Sequence, residues 1–423
     1  MSNRIQEAII EHKADILSLI DNLREHPELG FFEFESSSFV KDAWSLLGLE
    51  VEGPFARTGL RAVINTSKPG PVVALVCELD AVMSPLNPMA NKEGVAHACG
   101  HYIQCAQVFA SAVALMKVKD MLCGKVILLA VPAEEFLEIE KRLDLRKKGE
   151  IHYLSGKPEL LSLGVFDDVD MAMMIHAHPD TPEYKLFLEG GNLGFTAKNI
   201  YFKGVAAHGS TPFEGRNALQ AATLFLNGIN ANRETFRDEE SIRIHPIITK
   251  GGSVVNSIPD DVRVETYIRG ATREAIEKGC RIVDRCAKAS AMMMDCGVEV
   301  VTLPGYLPLE QDKTMSAYMK DVALSVLGQD SVGYGVDSVG STDMGDMSQL
   351  MPVIQPTMGG FIGGLHSAEF KVLDEWQSAL KGGELLAELT YQLLSDNASK
   401  AKKVIEHFKM KMTKEQYFSY MNS

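Results

Sequence analysis

Five short segments of the chain carry side chains able to hold a metal ion or move a proton. They are Glu78-Leu79-Asp80, His97-Ala98-Cys99-Gly100-His101, Pro132-Ala133-Glu134-Glu135, His176-Ala177-His178 and Gly363-Gly364-Leu365-His366. Taken singly, each has a plainer and commoner reading. A lone cysteine is usually a small buried apolar group, a Glu-Glu pair is usually a solvated helix face, and His176 or His366 alone is usually a hydrogen-bonded interior histidine. Their joint occurrence changes the balance, because Cys, His and Glu together are the donors of a borderline divalent ion such as zinc or manganese. The doublet Glu134-Glu135 adds a second ingredient. Neighbouring residues at a strand end point in different directions, so one carboxylate can face a metal while the other serves as base to an activated water.

Strands must bring these segments together. Val72–Cys77 (VVALVC) runs into Glu78, Val126–Val131 (VILLAV) into the glutamate doublet, and Met171–Ile175 (MAMMI) into His176. Short uninterrupted apolar runs separated by helical stretches read as strands of a parallel sheet covered by helices. In such a sheet, function gathers at the carboxyl ends of the strands. The first twenty-five residues read as an amphipathic helix, Glu35 to Leu47 as a second helix ended by Gly48, and Leu373 to Leu394 as a late one.

The middle of the chain has a different grammar. Phe195–Phe202 alternates, Ala218–Ala231 is helical, Ile242–Thr249 and Val262–Ile268 alternate, Arg273–Cys296 is a long helix and Val298–Thr302 a last strand. Strand, helix, strand, strand, helix, strand is the order of a ferredoxin-like α+β sandwich. The expected organisation is a catalytic α/β domain over residues 1–190 and 308–423, with a domain of residues 191–307 inserted in it.

Composition narrows the class. With 423 residues, 46% hydrophobic and 23% charged, the chain can bury a sizeable core in two domains. A formal net charge of −14 argues against a nucleic-acid surface or an anionic membrane as partner. Charged residues interrupt the first helix, so no export signal is legible there. Seven irregularly spaced cysteines do not make a disulfide framework and fit a reducing compartment, the cytoplasm by default.

Asp80 in CELDA, HACGH at 97–101, PAEE at 132–135, the His176 strand end, GVAAHGS at 204–210, GGSVVNSIPD at 251–260 and GGLHS at 363–367 together resemble the signature set of one family. It is the dinuclear metallopeptidase family of aminoacylases and carboxypeptidases, in its amidohydrolase branch, which includes hippurate, auxin-conjugate and aminobenzoyl-glutamate hydrolases. The opening LREHPELGFFE is similar to that family's first segment, and the resemblance covers nearly the whole chain. It implies two divalent ions per chain, zinc or manganese, with Cys99 between them and His101, Glu135, His176 and His366 as the other ligands. It also implies Glu134 as general base and Asp80 as a carboxylate supporting the site from behind. In the inserted domain it implies His208 as donor to the oxyanion, in many relatives from the partner subunit of a homodimer, and Asn256 and Arg269 as holders of substrate carbonyl or carboxylate.

The chain departs from that pattern in places. Tyr102 comes after His101 where a small polar or acidic residue is common, and ELDAVMSPL lacks a proline soon after the aspartate. The long charged segment FLEIEKRLDLRKKGEIHYLSGKP after Glu135 replaces a glycine-rich stretch and reads as a solvated helix and loop, with a share in the pocket wall as the other reading. His178 rivals His176, which the spacing from Asp168-Val169-Asp170 favours. GSTDMGDMS at 340–348 is similar to the aminobenzoyl-glutamate subgroup, with Asp343 a pocket residue or a turn cap.

The expected activity is metal-dependent cleavage of the amide bond in an N-acyl amino acid or related small conjugate. A dipeptidase or carboxypeptidase with the same site is the alternative. A non-catalytic binding relative, and a protein in which Cys99 is a covalent nucleophile, are competing readings of other classes.

Overall fold

Val72–Glu78 is rich in β-branched residues and too short for a buried helix, and it forms a central strand of a six-stranded sheet. The computed structural model describes residues 2–335 and 338–422. The sheet runs Val51–Phe55, Gly59–Asn65, Lys125–Val131, Val72–Glu78, Met171–Met173, Val353–Ile354. Each of the first three strands is antiparallel to its neighbour among them, and the last four are parallel. Because Glu78 lies in register with Val131, the segments Glu78–Asp80 and Pro132–Glu135 leave the sheet at one edge. A smaller sheet, ordered Val332–Tyr334, Leu186–Leu188, Thr357–Met358, His176–Ala177, carries His176.

The helix His101–Val118 is buried along nearly its whole length. A helix apolar on every side belongs inside a layered core, and this one packs against Glu375–Leu394, the strand Val72–Glu78 and both N-terminal helices. The N-terminal segment is not one helix. It breaks at His12, with φ −102° and ψ 19°, into Ser2–Glu11 and Lys13–Glu25. The break lets Ile5 and Ile9 on one piece and Ile16, Leu19 and Leu23 on the other each be buried.

The chain divides into two units. The first comprises Met1–Gly191, Glu310–Asp337 and Asp346–Thr413, and the second Asn192–Leu309, Ser338–Gly345 and Lys414–Ser423. The second contains an antiparallel sheet ordered Arg243–Lys250, Asp261–Gly270, Gly194–Lys203, Gly297–Pro304. Numbered along the chain, that order is 2-3-1-4, the ferredoxin-like arrangement. The helices Ala218–Asn232 and Arg273–Met293 pack on it around Ile200, Phe202, Phe225, Val264, Ile268 and Val283. The second of these helices ends at Met293, short of Cys296.

Candidate metal centre

The tripeptide Ala133-Glu134-Glu135 turns sharply at the end of its strand, and Ala133 adopts the left-handed region at φ 52°. A non-glycine residue there costs about 1–3 kcal/mol unless its surroundings hold it, and three buried side chains do. The Ala133 N–H donates to Glu33 Oε1 at 2.7 Å, and the Glu135 N–H donates to Asp80 Oδ2 at 2.9 Å. Arg142 donates through Nη1 to Leu154 O at 2.7 Å and to Ala133 O at 3.5 Å, and through Nη2 to Glu135 O. Its guanidinium also lies over the Phe31 ring, 5.3 Å from the centroid. The segment after Glu135 is therefore only partly the solvated helix expected. Its helix Ile139–Lys147 exposes most of its residues but buries Arg142 and Leu145.

His101 opens its helix behind Gly100, which has φ 82° and whose absent Cβ would stand 3.2 Å from that of Ala177. Its Nδ1 faces Asp80 O at 2.9 Å and Asp80 Oδ1 at 3.2 Å. Asp80 thus fixes both the His101 ring and the Glu135 backbone, the supporting task expected of it. With Nδ1 so engaged, Nε2 points into the centre.

Two groups of donor atoms converge there, each with its atoms within 4.8 Å of one another: Cys99, His101 and His176, and Cys99, Glu135 and His366. Cys99 is common to both. Its Sγ lies 3.5 Å from His176 Nε2, and His366 Nε2 lies 2.7 Å from Glu135 Oε1. A third group, Glu78, His101 and Glu134, adjoins the first through His101. His178 is in none of these groups among the described residues. It stacks on Phe187 at 4.0 Å and bonds Thr181 Oγ1 at 2.9 Å. His97 is also outside them, and burial together with nearby His101 pushes its pKa down to about 3, so it is a neutral ring beside Tyr102.

The electrostatics suit a cation. Burial alone would raise the Cys99 thiol, but His101 and His176 hold it well below the ordinary thiol range. Burial would lower His101 and His176, but Cys99 and Glu78 raise both. Burial and nearby Cys99 push Glu135 up to about 7, and His366, despite burial, is carried to about 10 by Cys99 and Glu135. The negative groups around Cys99 thus favour positive charge in their midst. His101 Nε2 is buried and makes no hydrogen bond, although Glu78 Oε2 is 3.2 Å away. A thiolate, imidazoles and carboxylates with such an orphaned nitrogen fit a borderline divalent ion.

Sequence reasoning missed Glu33, Arg142 and Lys157, and it named Glu78 only as one of the potential ligands at a strand end. Lys157 and Glu78 are both fully buried and paired at 2.6 Å. Gly156 admits the lysine, since a Cβ there would meet Pro132 O at 1.7 Å. The only signal available was the combination of a charged residue with an adjacent glycine in a segment leading to a strand.

His208, Asn256 and Arg269 belong to the second unit. His208 lies in an exposed turn bridged to Ser257, and the Gly209 N–H donates to Asn256 O at 2.8 Å, so the His208 and Asn256 loops adjoin. The Ser210 N–H donates to His208 Nδ1 at 3.2 Å, which leaves Nε2 as the protonated nitrogen. Arg269 lies elsewhere. Lys203 pairs with Asp261 and Phe195 with Arg269, so the two loops leave one end of the strand Asp261–Gly270 and Arg269 stands near the other. Eight residues of strand separate those pairings, roughly 26 Å at about 3.3 Å per residue. Arg269 donates to Ser341 Oγ at 2.6 Å beneath Phe195, and Asp343 is buried two residues on.

Residues 74–392 match the family described as peptidase family M20/M25/M40. An uncharacterized hydrolase of Sinorhizobium fredii is 27% identical over 395 residues, which cover 89% of this chain and 93% of that one. The N-acetyl-L-cysteine deacetylase of Bacillus subtilis is 25% identical over 332 residues, 76% of this chain and 74% of its own. A solved structure of a dinuclear metal-binding peptidase of family M20 from Bacillus subtilis shares the fold, with a TM-score of 0.69 at 24% identity over 90% of this chain and 99% of that chain.

Two outcomes are expected. Cys99→Ala, which removes a donor from both groups, should lower bound divalent metal further than His366→Ala, which touches one; elemental analysis showing full loading of both variants would refute the ligand sets. Arg142→Lys, which cannot span the same carbonyls, should weaken metal affinity roughly 10–100-fold, as loss of a ligand's supporting partner does. Unaltered affinity in a metal titration would reduce Arg142 to a space-filling role.

Proposed function

The chain belongs to peptidase family M20/M25/M40, and on that premise we propose that it is a metal-dependent amidohydrolase acting on N-acyl amino acids or related small amino-acid conjugates. One observation carries the reading: Cys99 is shared by two groups of converging donors while the neighbouring Glu134 belongs to neither. Such a set would hold two divalent ions, zinc or manganese, through Cys99, His101, Glu135, His176 and His366. Ions bound there would acidify a water and polarise the scissile carbonyl.

The remaining steps fall to the protein's own groups. Glu134, buried beside His101, takes the proton from the attacking water and delivers it to the leaving nitrogen. His208 presents Nε2–H to the carbonyl oxygen as negative charge develops, a contribution often among the largest in acyl transfer. Asn256 and Arg269 hold the carbonyl and the carboxylate of the substrate, the guanidinium matching a carboxylate's two oxygens.

A small substrate cannot touch both ends of a strand roughly 26 Å apart, which supports a homodimer in which His208 and Asn256 serve a different site from the one that Arg269 serves. The strand Arg243–Lys250 lies at a sheet edge, with Ile247 61% and nearby Val254 59% exposed, a surface suited to a second copy. The second unit would thus be both lid and dimerisation domain. Cytoplasmic residence is supported by seven unpaired cysteines, and no described helix is long and apolar enough to cross a membrane.

The reading is tested on the manganese- or zinc-loaded protein with a panel of N-acyl amino acids and dipeptides. Turnover of the former is expected; turnover confined to peptides would make it a dipeptidase or carboxypeptidase, and turnover of neither would sink the proposal. Glu134→Gln should lose roughly 10²–10⁴-fold in turnover with its metal retained, whereas Glu135→Gln should lose metal. Mixing Glu134→Gln with His208→Ala protein, after subunit exchange, should restore part of the activity. No recovery would assign His208 to its own chain.

A further inference from the structure

Glu78 ends the strand Val72–Glu78 and is fully buried, yet neither the ligand set nor the proton transfer above employs it. Its surroundings are built to hold it ionised and immobile. Lys157 Nζ donates to Oε1 at 2.6 Å, Gln104 Nε2 donates to Oε2 at 3.0 Å, and the Glu78 N–H donates to Gln104 Oε1 at 3.1 Å. Gln104 lies one turn along the helix that His101 opens, so the same helix fixes both the carboxylate and the imidazole.

The unassigned capacity of that carboxylate faces the centre. Oε2 lies 3.2 Å from His101 Nε2 without a hydrogen bond between them, so neither lone pair is consumed by the other. His101 is the residue common to the group it forms with Cys99 and His176 and the group it forms with Glu78 and Glu134. Two acceptor atoms facing each other unbonded across that distance are in the relation expected of two ligands on one ion. A buried pair made only for stability explains less, because replacing such a pair by apolar groups is often neutral or stabilising.

We propose that Glu78 is a further ligand, through Oε2, of the ion held by Cys99, His101 and His176, with Lys157 and Gln104 positioning it. A thiolate shared between two ions neutralises each only in part. Glu78 supplies the missing negative charge on the His101 side, and Lys157 binds the other oxygen so that a single oxygen is offered. The ion on that side is then the more tightly held of the two. This rests on reading the centre as a metal site.

The test is titration of the metal-free full-length protein with cobalt(II), following both affinity and the visible spectrum, which reports coordination independently of turnover. Glu78→Gln combined with Lys157→Met removes both buried charges together and so spares the fold the cost of leaving one unpaired. Its affinity for the tighter ion should fall at least tenfold and its spectrum change. Glu78→Asp keeps the charge and Lys157 but withdraws the oxygen by one methylene, and should show the same losses. A folded double variant with wild-type affinity and spectrum would overturn the proposal. So would a wild-type result for Glu78→Asp, which decides the matter if the double variant does not fold. Wild-type protein that takes up no cobalt would instead remove the metal-centre reading itself.

Discussion

Negative charge in a place with little water is the constraint on which the rest of the first unit depends. Glu33, Glu78, Asp80, Cys99 and Glu134 are buried at or beside one edge of a sheet, and Glu135 is half-buried among them. An isolated ionised group in such surroundings is costly by several kcal/mol, so each needs a partner or a proton. The chain answers in three ways. Lys157 and Arg142 bring buried positive charge, and backbone N–H groups of Ala133 and Glu135 serve Glu33 and Asp80. Burial and nearby Asp80 push Glu33 up to about 8, which favours its neutral form at neutral pH. The remainder, around Cys99, is a demand for a cation.

That economy explains why the supporting groups come from so many places. Asp80 stands just past a strand, His101 opens a helix, Arg142 sits on a peripheral helix and Glu33 precedes another. A parallel sheet aligns its strand ends without aligning the loops that leave them. The strained turn at Ala133 can then be held only by groups arriving from several directions, and it is held at its N–H, its carbonyl and the next N–H but one.

Two of the candidate donors, Glu135 and His176, were legible in the sequence because each stands just past an uninterrupted apolar run, and such runs read as strands; Cys99, His101 and His366 were legible only through the motifs around them. The alternation of Phe195–Phe202 and Val262–Ile268 made the second sheet legible as well. Lys157 and Arg142 were not, because their burial is decided by tertiary packing: a lysine between Gly156 and Pro158, or an arginine in a run of alternating charge, has the composition of a solvated surface. The break at His12 was hidden for a related reason, since two amphipathic helices in succession have nearly the pattern of one. His176 and His178 stand two residues apart, which in an extended strand puts both on one face, so their sequence positions could favour one but only their surroundings, Cys99 for the first and Phe187 for the second, describe their difference.

The first unit is written in separated stretches, and His366 and the helix Glu375–Leu394 belong to the last of them. At about 5–20 residues per second, ribosomes make Cys99 roughly 13–50 s before His366. Within that interval His176 joins Cys99 and His101 in the nascent chain, and the stretch Asn192–Leu309 emerges whole with a core of its own. Biosynthetic order therefore makes the second group of converging donors, Cys99, Glu135 and His366, a late assembly, since its last member is made only after the whole stretch Asn192–Leu309.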